Sequence, residues 1–225
     1  MYINEVLIEL KALSNPAHFA QLERFGIENS HALGIRIPEL RLLSKKIGKN
    51  HELALELWKT GIHEAKILAS FIDDPKKVTE QQFDAWVYDF DSWDICDQCC
   101  GLLIKTPYAH SKIFSYSTAN EEFVKRTAFV LICALVFYDK KAVNESFYPY
   151  FELFERESWD NRNFVRKAVN WALRQIGKRN EVLRLKAIEC ANRIQLQDSK
   201  SARWIAADAL RELKSEQVIN RLKNK

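Results

Sequence analysis

Three segments in the second half of the chain align with one another without gaps. EFVKRTAFVLICAL (residues 122–135) aligns with NFVRKAVNWALRQI (residues 163–176) at an offset of 41, and RKAVNWALRQI aligns with RWIAADALREL (residues 203–213) at an offset of 37. Within each segment apolar residues recur every three or four positions, as in a helix that buries one face. A repeat of this length predicts helix pairs that stack on their neighbours.

The rest of the chain has the same helical spacing, and no stretch alternates as a β-strand does. The predicted fold is therefore all-α, a HEAT-like helical-repeat solenoid with a concave face on which a ligand binds. No linker or low-complexity segment interrupts the 225 residues. We expect residues 1–225 to form a single HEAT-like-repeat domain.

The net charge of +4 is unevenly distributed along the chain. Residues 161–225 contain 16 Lys and Arg but only 6 Asp and Glu, so the excess of positive charge lies at the C-terminal end. Such an end is a candidate surface for a polyanion such as DNA. The alternative is a set of helices with solvated lysines.

The first residues, MYINEVLIELKALSN, carry charges at helical spacing and lack the unbroken apolar run of a secretory signal. No segment approaches the length and hydropathy of a membrane span. The chain has five cysteines, an odd number that argues against a complete disulfide framework. We therefore expect a cytoplasmic protein with reduced thiols and no membrane association.

The stretch FDSWDICDQCC (residues 90–100) concentrates acidic residues in a chain that is positive overall. Asp91 is placed to cap a helix, Asp94 suits the positive end of that helix, and Asp89 is expected to be solvated. Asp97 lies in the second turn, beyond the free amide groups of the first. Capping therefore does not explain Asp97.

At 100° per residue, Trp93, Asp97 and Gly101 form one stripe of the predicted helix. The opposite side is expected to face the core through Ile95, Cys99 and Leu102. A mid-helix glycine costs about 1 kcal/mol relative to alanine, and here it leaves space beside the carboxylate and the indole. The alternative is a close helix crossing with an ion-paired aspartate.

Cys96, Cys99 and Cys100 resemble metal ligands at first sight. A structural zinc site normally has a second Cys/His pair at similar spacing, which is missing here. We interpret the three cysteines as small core residues. Neither a metal ion nor another cofactor is expected.

Trp171 lies off the predicted core stripe of its helix and shares its face with Lys167, Arg174 and Lys178. An indole among cations suits a phosphate backbone and its sugars, although neighbouring lysine stems can also cover such a ring. Arg126 lies on an apolar face and needs a partner. It is either part of an ion pair between repeats or a cation that positions a phosphate or water beside Asp97.

Together these motifs resemble the AlkD-type DNA alkylation-repair glycosylases, a HEAT-like-repeat family. The resemblance rests on Trp93-DIC-Asp97, on the F-V-K-R run that ends at Arg126, and on the R-K-A-V-N-W-A-L-R run that contains Trp171. G-I-R-I-P (residues 34–38) is similar to the family's G-I-x-x-P turn. The match spans roughly residues 25–212, and Phe25 stands where the family has a tyrosine.

The resemblance implies hydrolysis of the N-glycosidic bond of positively charged N-alkylated purines, of the 3-methyladenine and 7-methylguanine type, in duplex DNA. It also implies that the base is not flipped into a pocket. By carry-over, Asp97 is the catalytic carboxylate, Trp93 and Trp171 flank the deoxyribose, and Arg126 contacts the backbone or a water beside it.

The expected partner is double-stranded DNA with alkylated bases, bound on the concave face by a monomer. Two alternatives remain: a non-catalytic HEAT-like scaffold that binds DNA or protein, and a DNA-binding protein without turnover. The residues expected to contact DNA are Lys125, Lys167, Arg174, Lys178 and Arg203.

Overall fold

The computed structural model describes residues 1–224, and no β-strand occurs among them. The chain divides into two compact units, of which the first is Met1–Tyr108 and the second starts at Ala109. The predicted all-α fold is confirmed. The prediction that residues 1–225 act as one domain stays a prediction.

The first unit contains seven α-helices. α5 packs against α3, α4 and α7, and α1 packs against α4. A short 3₁₀ helix, Pro16–His18, precedes α2. The helices are α1 (Ile3–Ala12), α2 (Phe19–Arg24), α3 (Ile37–Ile47), α4 (His51–Lys59), α5 (His63–Ile72), α6 (Glu80–Tyr88) and α7 (Trp93–Leu103).

Over residues 109–224 the second unit also contains seven α-helices, with a 3₁₀ helix, Asn144–Phe147, before α10. The helices are α8 (Ala109–Tyr116), α9 (Glu122–Tyr138), α10 (Tyr148–Glu157), α11 (Asn163–Gly177), α12 (Glu181–Gln195), α13 (Lys200–Leu213) and α14 (Glu216–Lys223).

The three aligned segments of the sequence coincide with α9, α11 and α13. α9 packs on α11 and α11 packs on α13, while α8, α10 and α12 form the partner row. The repeat inferred from the sequence is therefore a physical repeat of helix pairs. Its core stripe in α11, Val169, Ala172, Leu173 and Ile176, is fully buried as predicted.

Local side-chain chemistry fixes several helix ends. The side chains of Asn50, Thr79, Asn180 and Ser199 each accept a hydrogen bond from a backbone amide in the first turn of the helix that follows. Few Gly and Pro residues interrupt the elements between these caps. Short helices with defined starts result.

Gly34 is required by the turn that joins the long loop after α2 to α3. Its φ is +73°, and a Cβ atom there would lie 2.2 Å from the backbone oxygen of Asn15. Only glycine tolerates both conditions. The G-I-R-I-P motif therefore forms a tight turn that places the start of α3 close to the N-terminal segment.

Candidate nucleic-acid interface

Helix α7 begins at Trp93 and carries the acidic stretch. Its N-cap is Ser92, so the prediction that Asp91 caps this helix is wrong. Asp91 is exposed and lies 3.5 Å from the Nζ atom of Lys66. The capping prediction fails because the helix starts one residue later than the sequence pattern suggested.

The other two flanking acids also have partners from distant parts of the first unit. The Asp89 carboxylate accepts a hydrogen bond from the indole of Trp58 at 2.8 Å and pairs with Lys66 at 3.1 Å. Asp94 accepts from the Ile95 amide, as a first-turn acid does, and also binds His63 at 2.9 Å. Asp89 is therefore exposed to solvent, as expected, and its carboxylate is also held by Trp58 and Lys66.

The predicted division of α7 into two faces is confirmed. Ile95, Cys99 and Leu102 are buried, whereas Trp93 and Asp97 are half-buried. Gly101 is exposed, and a Cβ atom built there would meet nothing within 4 Å. Trp93, Asp97 and Gly101 thus form a partly open stripe, and no residue among 1–224 fills the space beside Gly101.

The cysteines of α7 are core residues, as predicted. Cys96, Cys99 and Cys100 are buried and are not part of a disulfide bond. Burial raises the pKa of the Cys99 and Cys100 thiols, which leaves them protonated at neutral pH. Within residues 1–224, no group of His, Cys, Asp and Glu is arranged to hold a metal ion.

Trp93 contacts the segment that precedes the G-I-R-I-P turn. Its indole Nε1 donates to the backbone carbonyl oxygen of Phe25 at 3.1 Å. Phe25 and Trp93 both line a cavity of about 300 Å³ in the first unit. The acceptor is a backbone atom of Phe25, so this contact does not depend on the Phe25 side chain.

A buried carboxylate organises the turn beside this cavity. Glu64, which is 1% exposed, accepts hydrogen bonds from the amides of Leu33, Gly34 and Ile35 at 2.7, 2.7 and 3.1 Å. Three such bonds to one carboxylate hold the loop on α5. Sequence reasoning missed Glu64 because its partners lie about thirty residues away and no local motif marks it.

His63 and Asp94 join α5 to the start of α7. Burial lowers the pKa of His63, but its hydrogen bond to Asp94 and the Asp94 charge outweigh burial, so this pKa is raised above its usual value of 6.5. Burial raises the pKa of Asp94, and His63 reverses the effect, so this pKa is lowered below 3.8. The pair is therefore charged over a broad pH range and fixes the helix turn that carries Trp93.

Arg126 lies in α9 of the second unit and is 5% exposed. Its Nη1 atom donates to the backbone oxygen of Phe164, in the first turn of α11, at 2.7 Å. The rings of Phe123 and Phe164 are also in contact, with centroids 5.6 Å apart. Arg126 thus ties two successive repeats together and holds its guanidinium group in place.

Lys125 was expected to contact DNA, but the structure places it inside the second unit. The side chain is 3% exposed and lies 2.6 Å from Glu157 and 3.3 Å from Asp160. Its Nζ atom also lies 5.1 Å from the centre of the Trp159 ring. The position does not support a direct phosphate contact by Lys125, since its charge is already compensated by two carboxylates.

The remaining predicted DNA contacts are more accessible. Lys167 is exposed, and Arg203 is exposed with Asp198 at 3.1 Å. Trp171 is half-buried, in agreement with its position off the core stripe. Arg174 and Lys178 follow on the same face, where both bind Glu212.

Trp93 and Asp97 belong to the first unit, and Arg126 and Trp171 to the second. Each pair is placed on the helix and face that the sequence predicted. That the four residues meet at one nucleotide stays a prediction.

The fold and these sites define a HEAT-like helical-repeat protein. A solved structure from a family of proteins related to the HEAT-like repeat DNA glycosylases, with affinity for branched DNA structures, matches this fold with a TM-score of 0.81. The match covers 99% of this chain and 96% of the other at 21% identity.

Residues 6–213 match the family of DNA alkylation repair enzymes, and the chain belongs to that family. A relative from Listeria innocua serovar 6a, the uncharacterized protein Lin0241, is 35% identical over 81 residues. That alignment covers 35% of this chain and 36% of the relative, so the matched part is about a third of the relative's length. Every helix within residues 1–224 is too short or too polar to span a lipid bilayer.

Proposed function

We propose that this protein is a monofunctional DNA glycosylase that removes positively charged N-alkylated purines from duplex DNA. The observation that carries the proposal is the stripe formed by Trp93, Asp97 and Gly101 in α7, with its half-buried carboxylate and the open space at the glycine. Membership of the DNA alkylation repair family supports the same chemistry.

A purine methylated at N3 or N7 carries a positive charge and is a good leaving group. When its bond to C1′ breaks, the bonding electrons neutralise the base, and the deoxyribose becomes an electron-poor cation. A fixed carboxylate beside that sugar stabilises the transition state more than the ground state. Asp97 supplies this charge from the second turn of a helix whose opposite face is locked into the core.

Asp97 also serves as the base that completes hydrolysis. The oxygen of a water molecule bonds to C1′, and the proton that it releases passes to the carboxylate. The electron-rich faces of Trp93 and of Trp171 each favour a cationic sugar that contacts them. Neither step requires the base to leave the stack for an enclosed pocket, in contrast to most glycosylases.

Charge placement in the second unit supports a DNA partner. Lys167 and Arg203 are exposed on α11 and α13, the helices that follow α9 in the repeat. Exposed cations of this kind attract the phosphate backbone and release its counterions. Lys125 instead acts within the protein, where it neutralises Glu157 and Asp160.

The experiment is an incubation of the protein with duplex DNA that contains 7-methylguanine or 3-methyladenine, followed by measurement of free base. Release of the methylated base, with unmodified duplex left intact, is the expected result. The second candidate is a DNA-binding protein without turnover, which the affinity of the solved relative for branched DNA makes testable. Tight binding to a branched substrate without any base release would favour that candidate.

A further inference from the structure

A second cavity, of about 530 Å³, lies within the second unit at the C-terminal ends of α9 and α11. Four basic side chains line it: Lys140, Lys178, Arg179 and Arg221. Among the described residues, none of its lining side chains is an Asp or a Glu. A cavity with this lining attracts anions.

Exposed carbonyl groups at a helix C-terminus carry negative partial charge and repel anions. Arg179 compensates this partial charge here. Its guanidinium donates to the backbone oxygens of Val136 and Ala142 at 3.2 and 2.9 Å, and it lies 4.9 Å from the centre of the Phe147 ring. The carbonyl groups around the end of α9 are thus met by a fixed cation. The next residue, Asn180, caps α12 and brings the positive end of that helix to the cavity.

Acidic groups compensate this charge only in part. Glu212 binds Lys178 at 2.6 Å and is shared with Arg174, which also lies 3.5 Å from Asp208. Asp139 accepts a hydrogen bond from the backbone amide of Lys141 at 3.1 Å. Lys140 and Arg221 are exposed at the rim of the cavity.

The cavity continues the face of α11 that carries Trp171. Gln175 and Lys178 line it, and they follow Trp171 by four and seven positions, which places all three on one stripe of the helix. Seven residues of helix span about 10 Å. That length corresponds to about three steps of a DNA strand, whose phosphates rise about 3.4 Å each along the duplex axis.

We propose that this cavity binds backbone phosphates of the DNA strand a few nucleotides from the sugar that Trp171 flanks. Its volume suits a stretch of sugar-phosphate chain more than a single small anion. The inference rests on the proposed function only in taking DNA as the ligand. Because the test uses unmodified duplex, it gives an answer even if base excision fails.

The experiment measures binding of a fluorescent unmodified duplex by anisotropy between 50 and 300 mM salt. It compares the wild type with the double variant Lys140→Ala/Arg221→Ala. Both side chains are exposed, so the variant is expected to fold, which circular dichroism checks. The control is Lys59→Ala/Lys76→Ala, which removes two exposed lysines of the first unit and thus the same net charge.

Each phosphate contact contributes about 0.9 to the slope of log affinity against log salt concentration. The slope of the cavity variant is expected to fall by about 1.8 relative to the wild type, and that of the control to stay unchanged. Equal slopes for the wild type and the cavity variant would overturn the proposal. If such a variant has also lost the binding of inorganic phosphate, the cavity is instead a site for a free phosphate compound.

Discussion

The indole Nε1 of Trp93 donates a hydrogen bond of 3.1 Å to the backbone carbonyl oxygen of Phe25. The bond joins the first turn of α7 to the C-terminal cap of α2, and it sets the orientation of the ring one turn before Asp97. The acceptor is a backbone atom, so the bond does not depend on the Phe25 side chain. Trp93 is therefore oriented by the fold of the N-terminal segment.

Replacing Trp93 with Phe keeps an aromatic ring but removes the N–H donor. A neutral hydrogen bond contributes about 1 kcal/mol, so the single-turnover excision rate is expected to fall about fivefold. The matched control is Trp86→Phe, a Trp in the same unit that stacks on Trp58 at 4.0 Å. This control should lower stability without slowing excision by the folded protein, and equal rates for W93F and the wild type would rule out a role for the bond.

The His63–Asp94 pair predicts a pH-dependent contribution to stability. It is fully present below the unfolded pKa of His63, near 6.5, and is lost as pH rises through the raised pKa of the folded state. On the acid side it is present above the unfolded pKa of Asp94, near 3.8, and is lost as pH falls through the lowered pKa. Asp94→Asn should therefore reduce the free energy of unfolding more at pH 5.5 than at pH 9.

Urea unfolding at the two pH values measures this difference. Asp91→Asn is the control, since Asp91 is exposed, lies 3.5 Å from Lys66 and contributes less than Asp94 to the raised pKa of His63. The control should show a small effect that changes little between the two conditions. A stability loss in Asp94→Asn that is the same at pH 5.5 and pH 9 would contradict the ion pair.

Lys125 and Lys167 align in neighbouring positions of two repeats. Substitution of Lys125 is expected to affect stability, whereas substitution of Lys167 is expected to affect DNA binding. Lys125→Met leaves Glu157 and Asp160 buried with less compensation and should lower the free energy of unfolding by about 3 kcal/mol. Lys167→Met removes an exposed cation and should leave stability within about 0.5 kcal/mol while weakening DNA binding. Thermal unfolding and anisotropy separate the two, and loss of binding in a stable Lys125→Met variant would reverse this assignment.

The helical glycines of α7 and α11 make a matched pair for packing. Gly101→Ala adds a methyl group in open space and should stabilise the protein by up to about 1 kcal/mol. Gly177→Ala places a Cβ atom 2.7 Å from Leu213 and 3.0 Å from Ala187, so it should destabilise the protein by about 1 to 3 kcal/mol. Chemical unfolding of both variants measures the two changes in the free energy of unfolding, which should have opposite signs. A loss of stability in Gly101→Ala would contradict the open space beside Gly101.

The helical repeat could be predicted because its information is local. The apolar spacing of residues 122–135, 163–176 and 203–213 fixes which face of α9, α11 and α13 is buried, and self-similarity shows that the three helices are equivalent. The same spacing separated the core face of α7 from its open face. Periodicity and self-similarity together therefore predicted the architecture, and periodicity predicted the candidate stripe.

Side-chain partners could not be predicted in the same way because they are set by tertiary contacts. Asp91 looks like a helix cap, but the helix begins at Trp93 after the N-cap Ser92. Lys125 looks like a DNA contact in the sequence, but its partners Glu157 and Asp160 are 32 and 35 positions away. Charge type is visible in a sequence, whereas compensation of that charge is visible only in the fold.

The most direct test of the central claim is the single-turnover rate of 7-methylguanine release by Asp97→Asn, measured at saturating protein. The control is Asp91→Asn, which makes the same change of charge at an exposed acid before α7. Loss of the fixed anion is expected to slow release at least a hundredfold, as the removal of one preorganised electrostatic group does in other enzymes, with DNA affinity retained. The control should match the wild type, and release by Asp97→Asn at the wild-type rate would contradict the account.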